Sequence, residues 1–333
     1  MASTRVALLG ATGETGTSIL NELLKDDKFS IVALIRPSSL QKPSVQAFRQ
    51  KGIEIRGLDL EAPLQTLVAA LKDIDILISA IGPMALLTQI PLATAAKEAG
   101  VKRFVPCAFI TIAPPDGIML LRDEKEKVYN HIKKIYLPFT VIDVGWWYQG
   151  AFPKLPSGKI DYMTGAGSMN LLCLDGNTPS ALTDLRDIGK YVARIIVDDR
   201  TVNKYVFTYN EVWTPNQIYD KFEDMSGERP LRKYLSEKEI QDDIISVKQA
   251  LDANPSDTGS MIMRFIREYQ FSWGIRGDNT PEYAKFLGYI SSKELYPDLE
   301  FRDFGTYLKE VLDGKATPVY ASSKDSLTDL VAG

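Results

Sequence analysis

The sequence predicts a doubly wound α/β fold, a parallel sheet with helices on both faces, joined to a smaller and mostly helical lobe. Three observations carry that prediction. An apolar run, Val6-Ala7-Leu8-Leu9, feeds straight into Gly10-Ala11-Thr12-Gly13-Glu14-Thr15-Gly16 and then into a helical pattern over residues 18–24. A buried strand, a glycine turn and a helix packed on the sheet need these residue types in this order. Short apolar runs then alternate with helical patterns at crossover spacing as far as Val144, and beyond it the chain becomes rich in Trp, Pro and Gly.

The glycines of the first turn are spaced G-x-x-G-x-x-G, the mark of a Rossmann-type nucleotide fold when strand and helix flank it. Gly10 permits the tight turn, Gly13 lets a pyrophosphate approach the backbone, and Gly16 lets helix and strand pack closely. Thr12, Glu14 and Thr15 belong to the same loop, at the positive end of the helix. The second strand, residues 30–35, ends at Arg36. A carboxylate there binds the ribose hydroxyl of NAD, whereas an arginine pairs with the 2′-phosphate of NADP and stacks on adenine. An ordinary surface arginine is the plainer alternative; beside the glycine turn, Arg36 favours NADP(H), and NADPH is the expected cofactor.

Residues 54–60 read as the third strand, 64–71 as a helix, 74–80 as the fourth strand, 88–99 as a helix closed by Gly100, and 103–106 as the fifth strand. The sixth follows at 139–144. Residues 145–182 carry only short strand signals, while a helix at 191–197 and a strand at 204–207 return to the sheet. Helix-start chemistry recurs at Asn216-Gln217 and Ser236-Glu237-Lys238-Glu239. The expected division is a nucleotide-binding domain over 1–151, with 183–209 returning to it, a substrate lobe made of 152–182 and 210–315, and a loosely held tail over 316–333.

Composition narrows the function. The 333 residues are 45% hydrophobic and 25% charged, with net charge -4 and no dense Lys/Arg run, so neither nucleic acid nor an anionic membrane surface is an expected partner. Two cysteines and one histidine, His131, are too few for a cysteine or multi-histidine metal site, and no metal is expected. No basic-then-apolar leader or membrane-length run appears, which reads as cytoplasmic; a homodimer stays open.

Particular runs make the chain resemble the isoflavone reductase-like group of atypical short-chain dehydrogenases, which includes phenylcoumaran benzylic ether, pinoresinol-lariciresinol and eugenol-forming enzymes, and more distantly the regulator NmrA. They are Gly10 to Gly16, Leu34-Ile35-Arg36-Pro37-Ser38, Asp75 to Gly82, Val101-Lys102-Arg103-Phe104-Val105-Pro106, Leu137-Pro138-Phe139-Thr140, Asp187-Ile188-Gly189 and Glu294-Leu295-Tyr296-Pro297. Among them, Ala80, Ile81 and Gly82 count with the cofactor-binding residues. The resemblance implies an active-site lysine on the helix after the fifth strand, where the chain offers Lys125, Lys127, Lys133 and Lys134. In the family helix that lysine precedes apolar positions three and seven residues on and Leu-Pro at twelve and thirteen; Lys125 meets this with Val128, Ile132, Leu137 and Pro138. The Y-x-x-x-K match of Tyr129 and Lys133 lies too near Pro138. Lys125 is therefore the implied catalytic and cofactor-contacting residue, Leu121 stands where the catalytic tyrosine of ordinary short-chain dehydrogenases would, and Tyr129 either assists or packs.

Two segments depart from the family pattern. Pro106-Cys107-Ala108-Phe109-Ile110 replaces Pro-Ser-Glu-Phe-Gly, and Val144-Gly145-Trp146-Trp147-Tyr148 replaces a Ser-Asn-Cys-Phe run. Phe109, Trp146, Trp147, Tyr148 and Phe152 are read as an aromatic mouth for a flat, apolar small molecule, with core filling between the lobes expected for at least half of them. The expected activity is NADPH-dependent reduction of an aromatic or conjugated secondary metabolite, such as a carbonyl, enone or quinone methide. The alternatives are a non-catalytic NADP-binding regulator similar to NmrA, and a non-redox enzyme on the same fold.

Overall fold

The computed structural model describes residues 3–164 and 172–319. Strands β1 (Thr4–Leu9), β2 (Phe29–Ile35), β3 (Glu54–Gly57), β4 (Ile76–Ser79) and β5 (Arg103–Val105) form a sheet in the order β3-β2-β1-β4-β5, with every pairing parallel. Successive residues of a strand face opposite sides. Val6 and Leu8 accordingly enter one apolar core, while Ala7 and Leu9 enter another. Helices cover both faces: α1 (Glu14–Leu23) and α2 (Pro43–Gln50) on the first, α3 (Leu64–Ala70), α4 (Gln89–Glu98) and α5 (Leu120–Lys134) on the second.

A single bridge, Phe104 against Phe139, joins this sheet to three more parallel strands. These are β6 (Thr140–Asp143), β9 (Lys204–Phe207) and β11 (Ile290–Ser291), ordered β11-β9-β6. Between β6 and β9 lie β7 (Trp146–Trp147), α6 (Asp161–Thr164), β8 (Ser180–Thr183) and α7 (Ile188–Ile195). Helix α7 lies so close on α1 that a Cβ at Gly189 would stand 2.2 Å from the Ser18 carbonyl oxygen. The third sheet, β10-β8-β7, uses β10 (Glu211–Trp213).

The remaining helices are α8 (Pro215–Ser226), α9 (Glu237–Ala253), α10 (Thr258–Tyr269), α11 (Pro281–Phe286), α12 (Ser292–Leu295) and α13 (Phe304–Leu312). Thr214 and Ser236 both make reciprocal caps, with Gln217 and Glu239. A third core gathers Tyr148, Phe152, Phe222, Trp273, Phe304 and Tyr307. The third to sixth strands are shorter than their apolar runs, because those runs continue into the buried turns that follow. The first residues of the expected loose tail are held: Ala316 is buried in this third core and Val319 packs on the first, while 320–333 lie outside the described residues.

Phe304 touches the rings of Tyr148, Trp213 and Phe222 at centroid distances of 5.1, 5.5 and 6.2 Å. Phe286 is 80% exposed. Phe304→Ala should therefore cost about 3–5 kcal/mol of unfolding free energy and Phe286→Ala less than about 0.5 kcal/mol, measured by chemical denaturation. Equal losses would place the third core elsewhere.

Candidate active site

The C-terminal edge of the sheet collects the candidate residues. Leu9 pairs with Leu34 on one side and with Ser79 on the other, so Gly10, Arg36 and Ala80 leave the sheet together. Gly10 turns with φ +82°, and a Cβ there would lie 2.2 Å from the Ala80 carbonyl oxygen. A Cβ at Gly16 would lie 2.0 Å from the Gly10 carbonyl oxygen. The chain's own packing thus requires both glycines. Gly13 differs, since its Cβ would meet only the Gly10 oxygen, at 3.4 Å, an ordinary contact. No neighbouring atom forbids a side chain there, and its absence leaves open the space at the N-terminus of α1, which Gly13 caps.

Thr12 and Arg36 are exposed around this cradle, and Glu14, Thr15, Ile81 and Gly82 are half-buried. In the loop after β5, the Cys107 thiol donates to the Ile81 carbonyl oxygen at 3.2 Å. Cys107 and Ala108 in turn present their carbonyl oxygens to Lys125 Nζ at 2.8 and 3.0 Å, and Cys107 Sγ lies 3.7 Å away. Lys125 is 3% exposed. Burial pulls its pKa below the ordinary lysine value; the neighbouring Cys107 and Asp143 oppose that shift and Arg122 adds to it.

Lys125 belongs to a buried stripe of α5 whose other members are Leu121, Val128 and Ile132. Arg122 and Tyr129 are buried on the same helix, so two cations stand among the apolar positions that α5 turns inward. Lys133 lies on the exposed side of the same helix, its Nζ 6.0 Å from the centre of the Tyr205 ring. Tyr129 is buried in the second core, edge-on to Tyr205, and its hydroxyl has no hydrogen-bond partner among the described residues. Burial raises its pKa well above the usual phenol range.

The five aromatic candidates divide. Phe109 is buried beside Leu121 and Cys107 in the first core, and Trp147 packs against the same cluster. Trp146, its neighbour on β7, points to the other face and meets Tyr269 and Trp273 at 5.7 and 5.4 Å. Tyr148 and Phe152 fill the third core: the Tyr148 hydroxyl donates to Glu211 Oε2 at 2.6 Å, and Phe152 stands edge-on to Phe222. The lining that sequence reasoning missed comes from α10. Phe265 and Tyr269 pack against the first core, the one that holds Phe109 and Leu121, and buried Glu268 accepts the Leu120 N–H at the start of α5, 2.8 Å away. Their i, i+4 spacing marks an amphipathic helix but not the surface it meets.

Among the described residues no group of three or more His, Cys, Asp or Glu could hold a metal ion, and no helix is long and apolar enough to cross a membrane. A profile of the NmrA-like family matches residues 2–270. The chain is similar to the asnovolin J 5′,6′-dehydrogenase of Aspergillus novofumigatus, with 47% identity over 93% of this chain and 95% of that protein. It is also similar to a phenylcoumaran benzylic ether reductase of Nicotiana tabacum, at 26% identity over 91% of this chain and 97% of the other. The solved structure of a Vitis vinifera leucoanthocyanidin reductase bound to NADPH shares the fold, with a TM-score of 0.77 at 22% identity, covering 93% of this chain and 99% of that one.

Gly13→Val should keep the melting temperature of the wild type and lose measurable NADP(H) binding, because only a ligand needs that space. Gly16→Ala should instead lose about 3 kcal/mol or more of stability. Calorimetric titration and thermal melts of both variants check this; undiminished affinity in folded Gly13→Val would make the turn purely structural.

Proposed function

The chain belongs to the NmrA-like family, and from that membership we propose that it is an NADP(H)-dependent oxidoreductase acting on an aromatic or conjugated, largely apolar metabolite. The observation that carries the reading is Lys125, a buried ammonium held on two carbonyl oxygens at the same sheet edge as the open cradle over Gly13. The relatives' names, a dehydrogenase and a reductase, both describe oxidation–reduction, which supports this reading.

The residues present fit the dinucleotide. Gly10, Thr12, Gly13, Glu14, Thr15 and Gly16 would hold its pyrophosphate, Arg36 its 2′-phosphate, and Ala80, Ile81 and Gly82 would flank it toward Lys125. When bound, NADPH supplies a hydride for an electrophilic carbon such as that of a carbonyl, enone or quinone methide. Lys125 then does what the chain itself must do: it offers an N–H to the substrate oxygen as negative charge grows there, and gives it a proton. A substrate oxygen would displace only the weak contact to Cys107 Sγ, since the two carbonyl bonds hold the ammonium in place. Phe109, Trp147, Phe265 and Tyr269 would supply the apolar wall that excludes water.

The Aspergillus relative's name favours a second reading, the same transfer run as a dehydrogenation, with Lys125 accepting the proton. Incubating the protein with NADPH and a panel of quinones, enones and phenolic isoflavonoids, and with NADP+ and the saturated counterparts, decides the direction by the change in reduced-cofactor absorbance. Tight nucleotide binding without turnover in either direction would favour a regulator.

Loss of the Arg36 guanidinium removes a charge-assisted contact to a phosphate that NAD lacks. Arg36→Ala should cost about 1.5–3 kcal/mol of NADP(H) affinity and little for NAD(H). Equal losses in parallel titrations would remove the assignment.

Lys125→Ala should lower turnover roughly 10²-fold or more while much of the nucleotide affinity stays, and Lys133→Ala should be nearly silent. Reduction needs the protonated lysine, so the rate falls as pH rises through its pKa. Because burial depresses that pKa, the fall begins below the ordinary lysine range, and it vanishes in Lys125→Ala. A dead Lys133→Ala beside an active Lys125→Ala would exchange the two assignments.

A further inference from the structure

One turn before Lys125, α5 carries a second buried cation. Arg122 is fully buried, and its Nη2 donates to Asp143 Oδ2 at 2.8 Å and to the Thr111 carbonyl oxygen at 2.9 Å. The Tyr289 hydroxyl donates to the same Asp143 oxygen at 2.7 Å and lies 3.4 Å from Arg122 Nη1, while Glu126 stands 3.9 Å away. These partners sit on the elements that build the Lys125 site. Thr111 belongs to the loop whose Cys107 and Ala108 carbonyls face the ammonium, and Asp143 is the last residue of β6, directly before Val144, Gly145, Trp146 and Trp147.

As a source of stability the arrangement is poor. Removing two charges from water costs about as much as their attraction returns, and Arg122 Nε and Asp143 Oδ1 have no hydrogen-bond partner among the described residues. Arg103, the buried arginine that opens β5 at the opposite edge of the sheet, is treated differently. Its close acceptors are the Ile195 and Asp198 carbonyls and the Thr201 hydroxyl. A costly ion pair has thus been placed at the functional edge.

From this geometry we propose that the Arg122–Asp143 pair, with Tyr289, is a positioning device for Lys125, and so rests on the role assigned to Lys125 above. It clamps α5, the loop after β5 and the end of β6 into the one arrangement in which the ammonium meets both carbonyls. The pair touches neither substrate nor cofactor; it acts through Lys125. Without it each of the three elements keeps its own packing, but the ammonium loses its fixed distance from the site.

The test uses the full chain. In the R122M/D143V/Y289F variant both members of the buried pair and the tyrosine hydroxyl are removed together, so neither Arg122 nor Asp143 is left buried without the other, and Glu126 keeps partial access to water. It should fold, melt within a few degrees of the wild type, and hold NADP(H) and KM within about threefold while losing at least tenfold in kcat, the pattern of a displaced catalytic group. Tyr289→Phe alone leaves the ion pair and should lose roughly two- to fivefold in kcat at unchanged KM. Wild-type kcat in a folded triple variant overturns the proposal, and if that variant does not fold, wild-type kcat in Tyr289→Phe does so. Lys125→Ala, assayed beside them, separates the two readings. Full activity there removes the role of Lys125 itself; an inactive Lys125→Ala beside a fully active triple variant removes only the positioning role.

Discussion

An ammonium group survives inside a protein only where oxygen atoms replace the water it has given up. For Lys125 those atoms are two successive main-chain carbonyls, and presenting both to one nitrogen constrains everything nearby. The chain must turn sharply after β5, and Phe109 takes φ +51° to do it, a region that side chains rarely enter. That turn is fastened to the neighbouring strand, with Phe109 N–H on the Ile142 carbonyl and Val144 N–H on the Ile110 carbonyl, at 2.9 and 3.0 Å. Strand β6 can lie there only because α5 ends before Leu137-Pro138 and the chain reverses. Helix, loop and strand therefore close a ring around one nitrogen atom.

Much of this frame is legible in the sequence for a definite reason. Strands β1, β2 and β4 are largely buried on both faces, so they are written as near-continuous apolar runs, and such runs stand out from the helical patterns between them. The glycine turn is equally legible, since Gly10 and Gly16 answer steric demands that no other residue meets. Strands β7, β8 and β10 are two to four residues long and too short to show a period. They are held by pairing with residues far away in the chain, such as Val212 with Ala181, and local sequence carries no trace of that.

The site was legible to a different depth. Lys125 is one of four lysines near α5, and the resemblance of the Leu137-Pro138 register singles it out, although its place in the Leu121, Val128, Ile132 stripe points the same way. The aromatic segment was harder. Trp146 and Trp147 are identical in chemistry and adjacent in sequence, yet the alternation of a two-residue strand sends one toward Trp273 and the other toward the cluster of Phe109 and Leu121. Tyr148 and Phe152 then go to the core of the second lobe because Phe222, Phe304 and Tyr307 arrive there from distant helices. Phe265 and Tyr269 reach the site by the same long-range route. Which core each aromatic enters depends on partners from tens of residues to more than a hundred and fifty away, beyond the reach of any local pattern.

The contrast among the three glycines has an evolutionary meaning. Gly10 and Gly16 are locked by the fold, so any descendant that still folds must keep them, whatever it does. Gly13 is under no such obligation, as its Cβ would meet only one carbonyl oxygen at 3.4 Å. On the proposed reading, the glycine at that position answers to the nucleotide and not to the packing of the fold. In a lineage that gave up the cofactor and kept the scaffold, position 13 would be free to drift while its two companions stood still, leaving a dated scar in the motif. The chain bears no such scar.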